Sequence, residues 1–131
     1  TDIDLYHGYT YSGHPLACAA ALATLGIYER EGLPQRVAEL APYWEERAHA
    51  LRGLPGLVDI RNFGLISAFE FAAEAGRSPT RAFEVFRSCF ARGLLSRPTG
   101  NVLAFSPPLT VSRAEIDQLY TILTEAIRAT P

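Results

Sequence analysis

The chain has 131 residues and a formal net charge of −2, with 48% hydrophobic and 20% charged residues. That suits one globular domain with a sizeable core, and the charge balance gives no electrostatic footprint for a nucleic-acid partner. No stretch reaches the roughly 18 apolar residues of a membrane span, and none reads as a secretory signal, so a cytoplasmic protein is the expectation.

Residues 1–14 are rich in Gly, Tyr, Ser and His and read as a loop. Pro15 then suits the first turn of a helix, where its missing N–H would be unpaired anyway. That helix is expected to run through Ala17, Ala20, Ala21, Leu25 and Tyr28 and to stop at Gly32; its alanines suit a buried helix packed closely on a neighbour. A second helix begins near Pro34, with Val37, Leu40, Ala41, Trp44, Ala48 and Leu51 on one apolar stripe. Leu57–Arg61 and Leu65–Phe71 read as strands joined at Asn62-Phe63-Gly64, with Phe69 and Phe71 alternating against Ala68 and Glu70.

Ser78-Pro79 is expected to open a third helix, whose inner stripe is Ala82, Val85, Phe86, Cys89 and Phe90 and whose end is Gly93. Short strands are predicted at Leu94–Arg97 and Asn101–Phe105, with a turn at Pro98-Thr99-Gly100; Pro107-Pro108 breaks the sheet. Ser112 and Glu115 have the spacing of a capping box, and Val111 and Ile116 that of a hydrophobic staple. The last helix then buries Ile116, Leu119, Tyr120, Leu123 and Ile127. This order predicts an α+β fold, a small, mostly antiparallel sheet with helices on one face. The first loop and helix have no obvious strand to pack on, so residues 1–32 are expected to lie against a missing neighbour and 33–131 to form the small domain.

Cys18 and Cys89 both fall in predicted helices among small or apolar neighbours, and the expectation is a pair of reduced core thiols. All twelve basic side chains are arginines; there is neither lysine nor methionine. A fragment of a longer protein is the preferred reading.

Chemistry concentrates in His7-Gly8-Tyr9-Thr10-Tyr11-Ser12-Gly13-His14-Pro15. Glycines around hydroxyl residues just before a helix can bring backbone N–H groups and a threonine hydroxyl near a phosphate, although such loops are more often structural. Arg97 is the other candidate: at a predicted strand end before a turn, its planar fork suits a carboxylate bidentately. His14 and Cys18 lie four apart at a helix start but lack a third, orienting group, and His7 and His49 have no partner at metal-ligand spacing. Glu45 and Glu46 read as a solvated face. No phosphate-binding P-loop, paired-cysteine zinc motif or nucleophile elbow is present.

The run from Tyr9 to Pro15 resembles the segment of class III (omega-type) aminotransferases that follows the cofactor-binding lysine and crosses to the partner subunit. The likeness continues through Asp59-Ile60-Arg61, Gly64-Leu65-Ile66, Gly93–Arg97 and Phe105-Ser106-Pro107-Pro108-Leu109, in the same order and over nearly the whole chain. Ser12-Gly13-His14-Pro15 is similar to the branch acting on omega-amino acids or amines with pyruvate; related aminomutases usually carry Asn in place of His. Ser67 departs from the glycine of many relatives.

The resemblance implies pyridoxal 5′-phosphate as cofactor, held through its phosphate by Thr10 across a homodimer interface, with Tyr9 lining the neighbouring cofactor and substrate pocket. It implies that Arg97 binds the substrate carboxylate and swings away for uncharged amines. The expected reaction moves an amino group from an amine or omega-amino acid to a keto acid such as pyruvate. The large domain and its lysine are outside this sequence, so the chain alone is expected to be inactive. The alternatives are another pyridoxal-phosphate reaction on the same scaffold, such as an aminomutase or decarboxylase, or a non-catalytic dimerisation or regulatory domain.

Overall fold

In a computed structural model, residues 8–73, 75–76 and 80–130 are described. They divide into two compact units, one ending at Leu33 and the other starting at Pro34.

The first unit is a tight turn followed by helix α1, Pro15–Arg30. Pro15 stands in the first turn, His14 caps the helix by accepting from the Ala17 N–H, and Gly32 follows its end at a φ of +59°. Alanine propensity and these caps account for the helix without a core. The expectation of a buried helix is corrected, because α1 buries none of its residues. Leu16, Leu22, Leu25, Ile27 and Tyr28 point out around its circumference, so it has no single apolar stripe to lay on a surface. Cys18 shares this exposure, which corrects its reading as a core thiol.

The second unit runs through α2 (Leu33–His49), β1 (Leu57–Phe63), β2 (Ile66–Phe71), α3 (Arg81–Ala91), β3 (Arg97–Thr99), β4 (Val102–Phe105) and α4 (Arg113–Ala129). The strands form one antiparallel sheet in the order β1-β2-β4-β3. Phe69, Phe71, Leu103 and Phe105 face the core, where they meet Trp44, Ala48, Val85, Ile116, Tyr120 and Leu123 from the three helices. Trp44 and Tyr120 meet edge to face at 5.1 Å between ring centroids, and Phe69 meets Phe105 likewise at 5.9 Å. Such pairings add to the burial of large apolar side chains. The fold is therefore α+β, with its helices on one face of a small antiparallel sheet.

Turn chemistry sets the register of both hairpins. β1 continues to Phe63, which pairs with Ile66, so the turn is Gly64-Leu65 and not Asn62-Phe63-Gly64. Gly64 has a φ of +54°, a conformation that costs glycine no steric penalty. Gly100-Asn101 turns the second hairpin, pairing Thr99 with Val102 and Arg97 with Ala104. This corrects the strand expected at Leu94–Arg97. In that register the segment before Arg97 would have to pair with residues from Phe105 into Pro107, and a proline offers no N–H to the ladder.

Ser78 and Pro79 lie outside the described residues; the cap of α3 is Thr80, whose hydroxyl accepts from the Phe83 N–H and donates to the Gly100 carbonyl at 2.9 Å. Ala82, Val85 and Cys89 are buried as expected and Phe86 partly so, but Phe90 is mostly exposed. The buried arginine of this helix, Arg81, is not in the solvent where a lone arginine usually lies. It donates to the Thr130 carbonyl at 2.7 Å, and its guanidinium fills the space where a Cβ on Gly56 would stand. At the start of α4 both halves of the Ser112–Glu115 capping box are present, and the residues of the staple, Val111 and Ile116, are buried. No helix among the described residues is long and apolar enough to cross a membrane.

Candidate functional site

Residues Thr10 to Gly13 form the turn ahead of α1. It is closed by the Ser12 N–H donating to the Tyr9 carbonyl at 2.9 Å and by the Tyr9 N–H donating to the Ser12 hydroxyl at 3.1 Å. Gly13, at a φ of +74°, lets the chain swing into the helix. The Thr10 hydroxyl makes no hydrogen bond to a described residue, and Thr10 and Tyr9 are exposed. Beside the turn is an open groove of about 560 Å³ bordered by Tyr9, Tyr11, His14, Ala17 and Cys18. A free hydroxyl beside an aromatic ring at the head of a helix can hold an anionic group with a planar body next to it.

The second location is the face of the sheet opposite the helices. Register places Arg61, Ala68, Ala104 and Arg97 in one row across all four strands. Asp59 and Glu70 pair in the next row, on the same face. At the β1 end, the Arg61 guanidinium meets Asp59 at 2.5 Å and Glu70 at 2.7 Å. The hydrogen bonds it donates to Glu70 and then to Asp59 hold its pKa above the ordinary arginine value.

Arg97, at the β3 end, is exposed and has neither ion pair nor hydrogen bond among the described residues. It borders a groove of about 440 Å³ with Ile66, Leu95, Ala104, Phe105 and Ser106. The groove thus has an apolar wall and one cation, with no carboxylate on its lining, a combination suited to an acid carrying an apolar portion. Ser96, next to Arg97, keeps a buried hydroxyl with no hydrogen-bond partner among the described residues.

Thr10 and Tyr9 are therefore together at one turn, and Arg97 is in the other unit. The remaining candidates have structural roles. His14 is the α1 cap, and His49 shares a 2.8 Å hydrogen bond with Asn62. Glu45 and Glu46 are exposed. His7 lies outside the described residues.

The ion triad of Asp59, Arg61 and Glu70 was not anticipated as a feature. A signal for it exists: with the turn at Gly64-Leu65, counting outward pairs 61 with 68 and 59 with 70, which brings the three charges onto one face.

Residues 2–127 match the family model for Aminotransferase class-III, and the chain belongs to the class III aminotransferases. It is 48% identical over 117 residues to the Omega-aminotransferase of Caulobacter vibrioides, covering 89% of this chain and 27% of that one. The Beta-alanine–pyruvate aminotransferase of Pseudomonas aeruginosa is 41% identical over 125 residues, 95% of this chain and 28% of its own. Among solved structures, a PLP-bound aminotransferase mutant from Vibrio fluvialis superposes with a TM-score of 0.82 at 29% identity, over 97% of this chain and 29% of that one. The chain thus spans between a quarter and a third of the length of the relatives it matches.

Pyridoxal phosphate is the cofactor of this family, and the residues present fit part of it. The free Thr10 hydroxyl suits the phosphate and the Tyr9 ring suits a neighbouring planar group. With no lysine in the sequence, the covalent attachment must come from elsewhere in a complete enzyme.

Proposed function

We propose that this chain is the C-terminal portion of an omega-type aminotransferase that transfers an amino group from an amine or omega-amino acid to a keto acid such as pyruvate. The observation that carries this reading is the state of Arg97: a guanidinium free of acid partners among the described residues, at the rim of a groove lined with apolar side chains. The high identity to an Omega-aminotransferase and a Beta-alanine–pyruvate aminotransferase supports the same substrate class.

In this reading Arg97 takes the substrate carboxylate in a two-pronged contact and fixes which end of the substrate enters first. Leu95 and Ile66 border the apolar portion and exclude water from it. Thr10 donates its hydroxyl to the phosphate of a cofactor bound by a second subunit, and Tyr9 lines the pocket there. Bound pyridoxal phosphate supplies the electron sink for the chemistry. Residues 1–32 are then an interface loop and interdomain helix, which explains why α1 exposes leucines, an isoleucine and a tyrosine. Residues 33–131 form the small domain of a cytoplasmic homodimer.

The test is amino transfer by the full-length polypeptide. A beta-alanine or arylalkylamine donor with pyruvate should yield alanine in a pyridoxal-phosphate-dependent manner; no alanine from any such donor overturns the proposal. The absence of lysine favours a second reading, a non-catalytic dimerisation or regulatory domain. The mass of the natural polypeptide discriminates between the two, a product near the length of the relatives supporting the enzyme.

A further inference from the structure

The sheet face opposite the helices holds two guanidiniums on one row, and among the described residues Arg61 has acid partners while Arg97 has none. Adjacent strands are about 4.8 Å apart, so the Cα atoms of Arg61 and Arg97 are separated by roughly 14 Å. Between them stand only Ala68 and Ala104. Both arginines have long, flexible stems, and alanine methyls put no obstacle between their heads. A linear molecule with an acid at each end could lie along this row if both guanidiniums were free.

Asp59 and Glu70 prevent that. Together they place two carboxylates on one guanidinium, leaving the β1 end of the row with a net charge of −1. A carboxylate arriving there finds Nη1 of Arg61 already shared by both carboxylates and an excess negative charge facing it. The β3 end, at Arg97, has no such screen among the described residues.

We propose that Asp59 and Glu70 are specificity-determining residues: by occupying Arg61 they deny the face a second acid dock, and they restrict it to acids bound through one carboxylate at Arg97. This is selectivity by exclusion, a repulsive element set against the competitor instead of a new contact for the preferred ligand. It rests on the reading of Arg97 as the acid-binding residue.

The experiment uses the full-length polypeptide and non-reacting acids, with butyrate as the monoacid probe and glutarate, adipate and suberate as diacids. Binding is measured by calorimetry and by competition with pyruvate. In the unaltered protein the diacids should bind no better than butyrate. In the D59N/E70Q double variant at least one diacid should bind about tenfold tighter, as a new charge-assisted contact at Arg61 predicts.

Adding Arg61→Ala to the double variant should abolish that gain. Glu70→Gln alone keeps the Asp59–Arg61 pair, so it guards against loss of fold and should give a smaller gain in the same direction. No diacid gain in either variant, or a gain that survives Arg61→Ala, overturns the inference. Arg97→Ala separates the two levels. If it leaves butyrate binding unchanged, the reading of Arg97 fails; if it weakens butyrate while the diacids gain nothing from D59N/E70Q, only the exclusion idea fails.

Discussion

Arg61 and Arg97 end the same cross-strand row and differ in their partners: Arg61 is held by Asp59 and Glu70, whereas Arg97 has no acid partner among the described residues. A paired guanidinium stays where its carboxylates hold it. An unpaired one at a groove keeps its donors for a ligand, with no ion pair to break first. In the proposed reading, this asymmetry decides which of two chemically identical side chains on one face serves as the binding group.

Arg97→Ala in the full-length enzyme should raise the barrier for carboxylate-bearing donors and acceptors by about 1.5–3 kcal/mol, the size of a hydrogen bond to a charged group. That corresponds to a loss in kcat/KM of roughly ten- to a hundredfold. Uncharged amines should be affected far less in their own half-reaction. Single-turnover kinetics with beta-alanine and with an arylalkylamine make the comparison, and an equal loss for both would remove Arg97 from substrate selection.

Thr10→Ala should raise the pyridoxal phosphate concentration needed for half-maximal activity by about tenfold or more, since a hydroxyl-to-phosphate contact is charge-assisted. Thr10→Ser keeps the donor and should restore most of the affinity. The turn is closed by Tyr9 and Ser12 without the Thr10 side chain, so the fold should not change. Fluorescence titration of the apoenzyme with cofactor measures this directly. Unchanged affinity would leave Thr10 with a structural role only.

What was legible in the sequence were the features fixed locally. Pro15 before an alanine run, the Ser112–Glu115 box and the alternation from Ala68 to Phe71 each depend on a few adjacent residues, and each survives in the structure. The start of β3 was not legible, because it is decided by a partner: the Gly100-Asn101 turn sets the register, and Pro107 denies a donor to anything paired beyond it. Helical spacing puts Phe90 on an inner stripe and small neighbours suggest a core for Cys18, but burial depends on what covers a face, and the described residues leave both exposed. At the site, Thr10 and Arg97 are picked out by residue type and position, and the resemblance supplies their expected roles. The pairing of Arg61 and the free state of Arg97 needed the sheet register, which places charges eleven residues apart in sequence on one surface.

Cys89 provides a pH-dependent reporter of the small domain. It is fully buried, and that burial pushes its thiol up to about 11, from an ordinary value of 9.0. A folded-state pKa raised above the unfolded one means the native state holds its proton more tightly. The stabilisation is complete below about pH 9 and is lost as the pH rises toward 11, because the unfolded thiol ionises first. Unfolding midpoints should therefore fall more steeply between these values for the unaltered protein than for Cys89→Ala. A thiol reagent should label Cys18 at neutral pH in the isolated chain, and Cys89 only when the protein unfolds. Rapid double labelling of the folded chain, or parallel midpoints for the two proteins, would contradict this account.

The 131-residue chain alone should not transaminate, even with excess pyridoxal phosphate. Amino transfer with pyridoxal phosphate would need a neutral amine side chain to hold the cofactor and to move a proton. The sequence contains no lysine, and its twelve basic side chains are all arginine. Arginine stays protonated at any working pH and so offers no nucleophilic nitrogen. Thr10 is exposed; its hydrogen bond to phosphate in open water is worth only about 1 kcal/mol, far too little to hold the cofactor at working concentrations. The α-amine of the first residue must be blocked beforehand, since it can condense loosely with the aldehyde and imitate binding. The blocked chain is then mixed with cofactor, an amine donor and pyruvate, and pyruvate consumption is followed. The expected result is no turnover above that of free pyridoxal phosphate, while the full-length polypeptide under the same conditions consumes pyruvate. Sustained turnover by the blocked chain would show that some group other than a lysine can perform the amine's two tasks.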